Sequence, residues 1–221
     1  MIFLSNSYFF SANLYIFVFL AQLMSEITHF LSQLNFNWSI IESAAVLFSI
    51  LYVILAARQN IWCWFFAPIS ALLYSYIFFK TQLFSQTGLQ IFYFFMAAYG
   101  YYNWRKSDGK LATTQWSASK HLLVILLGAI FTFLIGFYFK TYTQAKMPII
   151  DSFITVFAVL ATYMVTKKIV ENWLYWIVID SVSVYLYFSR DLHLTSLLFL
   201  AYTLIAIFGY FSWLNKAKQD G

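Results

Sequence analysis

Seven times along this chain the sequence runs apolar for close to twenty residues before a short polar break. These runs cover 39–57, 61–79, 84–104, 121–139, 148–166, 172–189 and 194–214. About 20 apolar residues in a helix cross about 30 Å of hydrocarbon. In that solvent a chain must satisfy its own backbone hydrogen bonds, which helices do. The chain is 62% hydrophobic and 10% charged, where soluble domains carry about 25% charged residues. The spacing therefore predicts an all-α membrane protein of seven transmembrane helices, with no room for a soluble domain.

The net charge of +5 does not indicate nucleic acid, because Lys and Arg stand singly or in pairs between apolar runs, as topology signals do. With the segment before Trp38 outside, Arg58, Arg105, Lys106, Lys110, Lys120, Lys167, Lys168, Lys216 and Lys218 fall on the cytoplasmic side, and Lys80, Lys140, Lys146 and Arg190 on the other. This nine-to-four bias predicts an outer N-terminus and a cytoplasmic C-terminus. Residues 8–24 read as an eighth span, a weak signal-like segment, or untranslated sequence if Met24 initiates; in that last case residues 25–37 are an interfacial helix. The single Cys63 and the separated His29, His121 and His193 form no metal-binding or disulfide pattern. No catalytic residue, metal or cofactor is expected.

An internal repeat organises the chain. At an offset of 109, residues 42–104 align with 151–213 without a gap, and 13 of the 63 pairs are identical. Composition alone gives about five identities. Trp64 pairs with Trp173, Tyr93 with Tyr202, and Gly100, Tyr101 and Trp104 with Gly209, Tyr210 and Trp213. Each unit holds an odd number of helices, so the run at 121–139 restores the orientation of the second. The result is a 3+1+3 arrangement of parallel repeats. The expected organisation is residues 1–38 as an N-terminal segment, 39–104 as repeat 1, 105–147 as a loop with a linker helix, 148–215 as repeat 2, and 216–221 as a tail.

The runs LQIFYFFMAAYGYYNW at 89–104 and KKIVENWLYWIVIDSVSVYLY at 167–187, with Asp151 opening the fifth helix, resemble the Pnu family of vitamin transporters. The resemblance spans roughly residues 39–215 and implies a SWEET-like fold. It also implies facilitated diffusion of an unphosphorylated vitamin across the bacterial inner membrane, trapping by a cytoplasmic kinase without stable contact, and a possible homotrimer.

Asp180 lies mid-helix, where an isolated carboxylate costs about 2.5 to 3.5 kcal/mol, so it should meet a cavity or a partner. Trp176 precedes it by one turn on the same face. A ring beside an acid suits a flat cationic solute. The nicotinamide riboside branch of the family ends this motif in Asn. Asp180 departs from that pattern and tips the expectation toward thiamine, whose amino group a carboxylate accepts, with nicotinamide riboside of the PnuC type as the alternative. An internal salt bridge or helix lock is the structural reading of the same residue.

By resemblance, Gln90 and Tyr93 contact the solute, although an amide between helices also serves as inter-helix glue. Glu42 and Asp151 occupy equivalent helix starts and read as paired gates or as charges matched to helix N-termini. Trp64 and Trp173 are cavity walls, with Trp173 touching solute, or membrane-interface anchors, the anchor reading being favoured. Pro68 is expected to break the second helix and act as a hinge. The competing functions are an intramembrane enzyme, which lacks paired catalytic groups here, and a sensing subunit, which leaves Asp180 and the repeat without purpose.

Overall fold

The computed structural model describes residues 40–80, 84–106, 111–143, 146–189 and 193–220, with Gln22 and Ser25. The chain divides into Met1–Trp38 and Ser39–Gly221, and the second unit is described below. The readings made for residues 1–38, His29 among them, lie outside the described residues.

The helices are α1 (Ile40–Ala57), α2 (Cys63–Lys80), α3 (Phe84–Lys106), α4 (Ala118–Tyr142), α5 (Pro148–Thr166), α6 (Asn172–Phe188) and α7 (His193–Asp220). Five of them, α1, α2, α4, α5 and α7, are individually long and apolar enough to cross a membrane. The other two, the tyrosine-rich α3 and the 17-residue α6, carry Tyr93 and Asp180. Among the described residues the one extended pairing is an isolated parallel bridge, Thr114 to Ile169.

Helix α7 runs past the apolar run to Asp220. Lys216, Ala217 and Lys218 are good helix formers, so the helix continues where the hydrophobic signal stops. Helix α2 starts two residues later than the apolarity suggested, because Asn60 Oδ1 accepts the Trp62 N–H at 3.0 Å and holds residues 61–62 in a turn. Pro68 does not break α2, which is continuous from Cys63 to Lys80. One missing donor this close to the start of a helix leaves the hydrogen bonds beyond it intact.

Within the first half α1 packs on α2 and α2 on α3, and within the second α5 packs on α6 and α6 on α7. The halves meet where α1 packs on α7 and α3 on α5. Shifting residue numbers by 109 converts each of these contacts into the other, and also carries the starts of α2 and α3 onto those of α6 and α7. The architecture is the 3+1+3 arrangement of parallel repeats about a pseudo-two-fold axis.

Lipid tails are as apolar as a leucine side chain, so close packing and hydrogen bonds hold such helices together. Helix α4 shows this. Its one buried stripe is Gly128, Thr132 and Gly136, and it docks on α5, while Leu122, Leu126, Phe133, Leu134 and Phe137 are exposed. A Cβ on Gly128 would lie 2.8 Å from Phe157 Cζ, and one on Gly136 would lie 3.0 Å from the Ile149 backbone.

Candidate functional site

The polar interior of the bundle centres on Asp180 of α6, which is 4% exposed. Among the described residues, no hydrogen bond or salt bridge reaches its carboxylate. Among the described residues the lysines and arginines sit at helix ends or in turns, and none forms a salt bridge with Asp180. Two phenols lie within electrostatic range of this acid, Tyr93 from α3 and Tyr202 from α7, and they are repeat equivalents.

Each phenol reaches across the seam between the halves. Tyr202 lies 2.6 Å from Ser49 of α1, whose hydroxyl is donated to Val46 O at 2.8 Å. Ser49 is therefore the acceptor and Tyr202 the donor. Tyr93 lies beside Thr162 of α5, whose hydroxyl is likewise committed, to Ala158 O at 2.7 Å. Tyr74 of α2 and Tyr187 of α6 extend the ring, Tyr74 beside Ser49 and Tyr187 within range of Tyr93. Of these tyrosines the sequence singled out Tyr93 alone; with 17 in the chain, no pattern marked the others. Tyr202 was within reach, as the repeat partner of Tyr93.

The remaining expected residues spread over the bundle. Trp176 is half-buried, one turn before Asp180, and packs between the core of the seam and the Phe157–Ile179 cluster. Gln90 lines a groove between α2 and α3 with Ala71, Leu72, Phe94 and Phe95, and Leu72 and Phe95 are exposed on its rim. Its offset of three residues from Tyr93 turns it about 60° around the helix, toward α2 and away from the Asp180 centre. Glu42 and Asp151 lie half-buried in the first turns of α1 and α5, at the same end of the bundle. Helix α5 has no side-chain cap at Met147, and Asp151 puts a negative charge in its first turn.

Trp64 and Trp173 correct the anchor reading. Both are buried, at 4% and 3% exposure, at the basic end of the bundle near Arg58, Arg105 and Lys167. Trp64 meets Trp104 edge to face at 5.2 Å, Trp173 meets Trp213 in the same way at 5.5 Å, and Trp104 touches Trp213 at 6.0 Å across the axis. The indoles lie against Gly100 and Gly209, where any Cβ would collide with them. Trp104 Nε1 donates to Val165 O at 3.3 Å and Trp213 Nε1 to Ala56 O at 3.0 Å. These crossed bonds are related by the repeat offset and close the basic end.

Two triple-helix halves with a buried acid between them, shut at one end by aromatic rings, have the layout of an alternating-access carrier. A family model described as nicotinamide mononucleotide transporter matches residues 39–215. The chain belongs to that family. As a member of the nicotinamide mononucleotide transporter family it is a multi-pass membrane transporter of the PnuC type, and it is not an enzyme.

Relatives agree with this assignment. The nicotinamide riboside transporter PnuC of Escherichia coli K12 is 27% identical over 215 residues, covering 85% of this chain and 90% of the relative. The riboflavin/roseoflavin transporter RibM of Streptomyces davaonensis is 25% identical over 172 residues, covering 75% of this chain and 80% of the relative. The crystal structure of the vitamin B3 transporter PnuC matches with a TM-score of 0.70 at 20% identity, covering 90% of this chain and 91% of that one. That last likeness is one of fold, and the fold is SWEET-like. Neither sequence relative is named for thiamine, so the expectation that Asp180 tips the solute toward thiamine gives way to its alternative.

Proposed function

We propose that this transporter carries unphosphorylated nicotinamide riboside by facilitated diffusion across a bacterial inner membrane, with its basic end in the cytoplasm. The observation that carries the proposal is the carboxylate of Asp180, buried between the two halves with no hydrogen bond or salt bridge among the described residues. Nicotinamide riboside is a fixed pyridinium cation, so it offsets the cost of a mid-membrane acid. Its carboxamide N–H and ribose hydroxyls supply donors for the same carboxylate, and charge assistance strengthens those bonds. Trp176, one turn before the acid, and Tyr93 and Tyr202, within its electrostatic range, offer aromatic faces to a flat ring.

The same charge argues against a mononucleotide as cargo. A phosphate group would bring about 1.5 to 2 negative charges toward a buried acid, in an interior where no described Lys or Arg stands to receive it. Trapping by a cytoplasmic kinase then drives net uptake without an ion gradient.

The test is competition binding of nicotinamide riboside, thiamine and riboflavin to purified protein, repeated on Asp180→Leu, which removes charge and acceptor together where Asn would restore the residue that the nicotinamide riboside branch resembled here carries. Nicotinamide riboside should compete best in the wild type, and the variant should bind it about tenfold to a hundredfold more weakly, the range for losing one desolvated charged partner. Stronger binding of thiamine or riboflavin by the wild type overturns the solute. Equal binding by wild type and variant removes Asp180 from the site.

A further inference from the structure

The turns on either side of the basic end are built alike. Gln59 and Lys168, equivalent residues, both hold left-handed backbone, with φ of 53° and 51°. Each turn closes with a Schellman pair. The Gln59 and Asn60 N–H groups donate to Ala56 O and Leu55 O at 2.9 Å, and those of Lys168 and Ile169 to Val165 O and Met164 O at 3.0 Å. The carbonyls of Ala56 and Val165 therefore serve twice, once within their own turn and once for the indole of the opposite half. Parting the halves at this end breaks both indole bonds and leaves the turns intact.

One segment departs from the symmetry. Residues 111–117, between α3 and α4, run across this end from one turn to the other. Their hold on the second half is extensive. Thr114 N–H donates to Lys168 O at 3.0 Å, Val170 N–H to Thr114 O at 2.9 Å, and Trp116 N–H to Glu171 Oε2 at 3.2 Å. Just beyond, His121 Nδ1 lies 3.0 Å from the Tyr175 hydroxyl, and α4 itself docks on α5. Toward the turn of the first half the segment reaches through a side-chain exchange. Buried Thr113 accepts from Gln59 Nε2 at 3.0 Å and donates to Gln59 Oε1 at 3.3 Å.

We infer that residues 111–117 form a latch on a gate at the basic end, with the Trp104–Trp213 contact as the bar and the Thr113–Gln59 exchange as the catch. When the halves separate, the segment travels with the second half and the catch is what releases. The inference rests on the transport reading, since alternating access is what requires the halves to part. It says nothing about the solute.

Cys63, the one cysteine of the chain, makes the gate measurable. It is fully buried in the same core cluster as Ala56, Trp64, Trp104 and Trp213. In lipid nanodiscs, where both faces meet solvent, a charged maleimide reaches Cys63 when this end opens. Thr113→Val removes both catch bonds at nearly constant shape and should raise the labelling rate about tenfold. Thr113→Ser keeps the hydroxyl and should label at the wild-type rate, and Gln59→Leu should match Thr113→Val. Melting temperatures near wild type show that the variants are folded. An unchanged rate in Thr113→Val and Gln59→Leu overturns the latch, as does equal acceleration in Thr113→Val and Thr113→Ser. A response as expected together with no uptake of nicotinamide riboside sinks the solute and leaves the latch standing.

Discussion

Asp180 was legible in the sequence because a carboxylate inside an apolar run has no cheap place to go except an interior. Its surroundings were not. Tyr202 and Ser49 meet across residues 153 apart, and in a chain this rich in tyrosine no local spacing marks which ring turns inward. Gln90 shows the opposite failure, a polar residue near a motif residue that faces another helix because three positions are not a whole turn. The Tyr202 phenol donates across the seam, and its loss leaves the Ser49 oxygen with one partner fewer at 9% exposure. Tyr202→Phe should cost about 1 kcal/mol of stability, read as a lower midpoint in thermal unfolding in detergent. An unchanged midpoint would mean that the bond contributes nothing to holding the halves together.

The helices themselves were readable from apolarity, with errors confined to their ends, where helix propensity and hydrophobicity part company, as along Lys216–Asp220. Docking was less so. The stripe Gly128, Thr132 and Gly136 repeats every four residues in plain view, yet small residues also occur in lipid-facing helices, and nothing local says that α5 lies against them. A leucine at Gly136 would drive its side chain into Ile149, whose backbone cannot move without shifting α5. Gly136→Leu should separate α4 from α5 and lower stability by about 1 to 3 kcal/mol, the usual cost of overpacking. Proteolysis between residues 111 and 117 checks this, since the docking of α4 adds to that segment's hold on the second half. Resistance equal to wild type would show that the close approach is dispensable.

At the scale of the whole molecule, the repeat carried the architecture. An ungapped offset over 63 residues constrains topology far more than any single motif, and the starts of α2 and α6 and of α3 and α7 honour it to the residue, with α1 and α5 within one. The positions outside that correspondence, the 111–117 crossing above all, had no partner within the chain against which to be read. The charge bias predicts the orientation. A fluorescent protein fused after Gly221 should fold and shine in the cytoplasm, and an alkaline phosphatase at the same point should be inactive; the reverse pattern would turn the carrier upside down. One departure from the two-fold also limits how such a protein can be assembled. The counterpart of Asp180 is Ala71, so a dimer of first halves would present a cargo cavity with no anion, and a dimer of second halves would present a mutually repelling pair. Fusion into one polypeptide is what lets duplicated scaffolding hold a single buried acid off its axis, as the proposed monovalent cation would require.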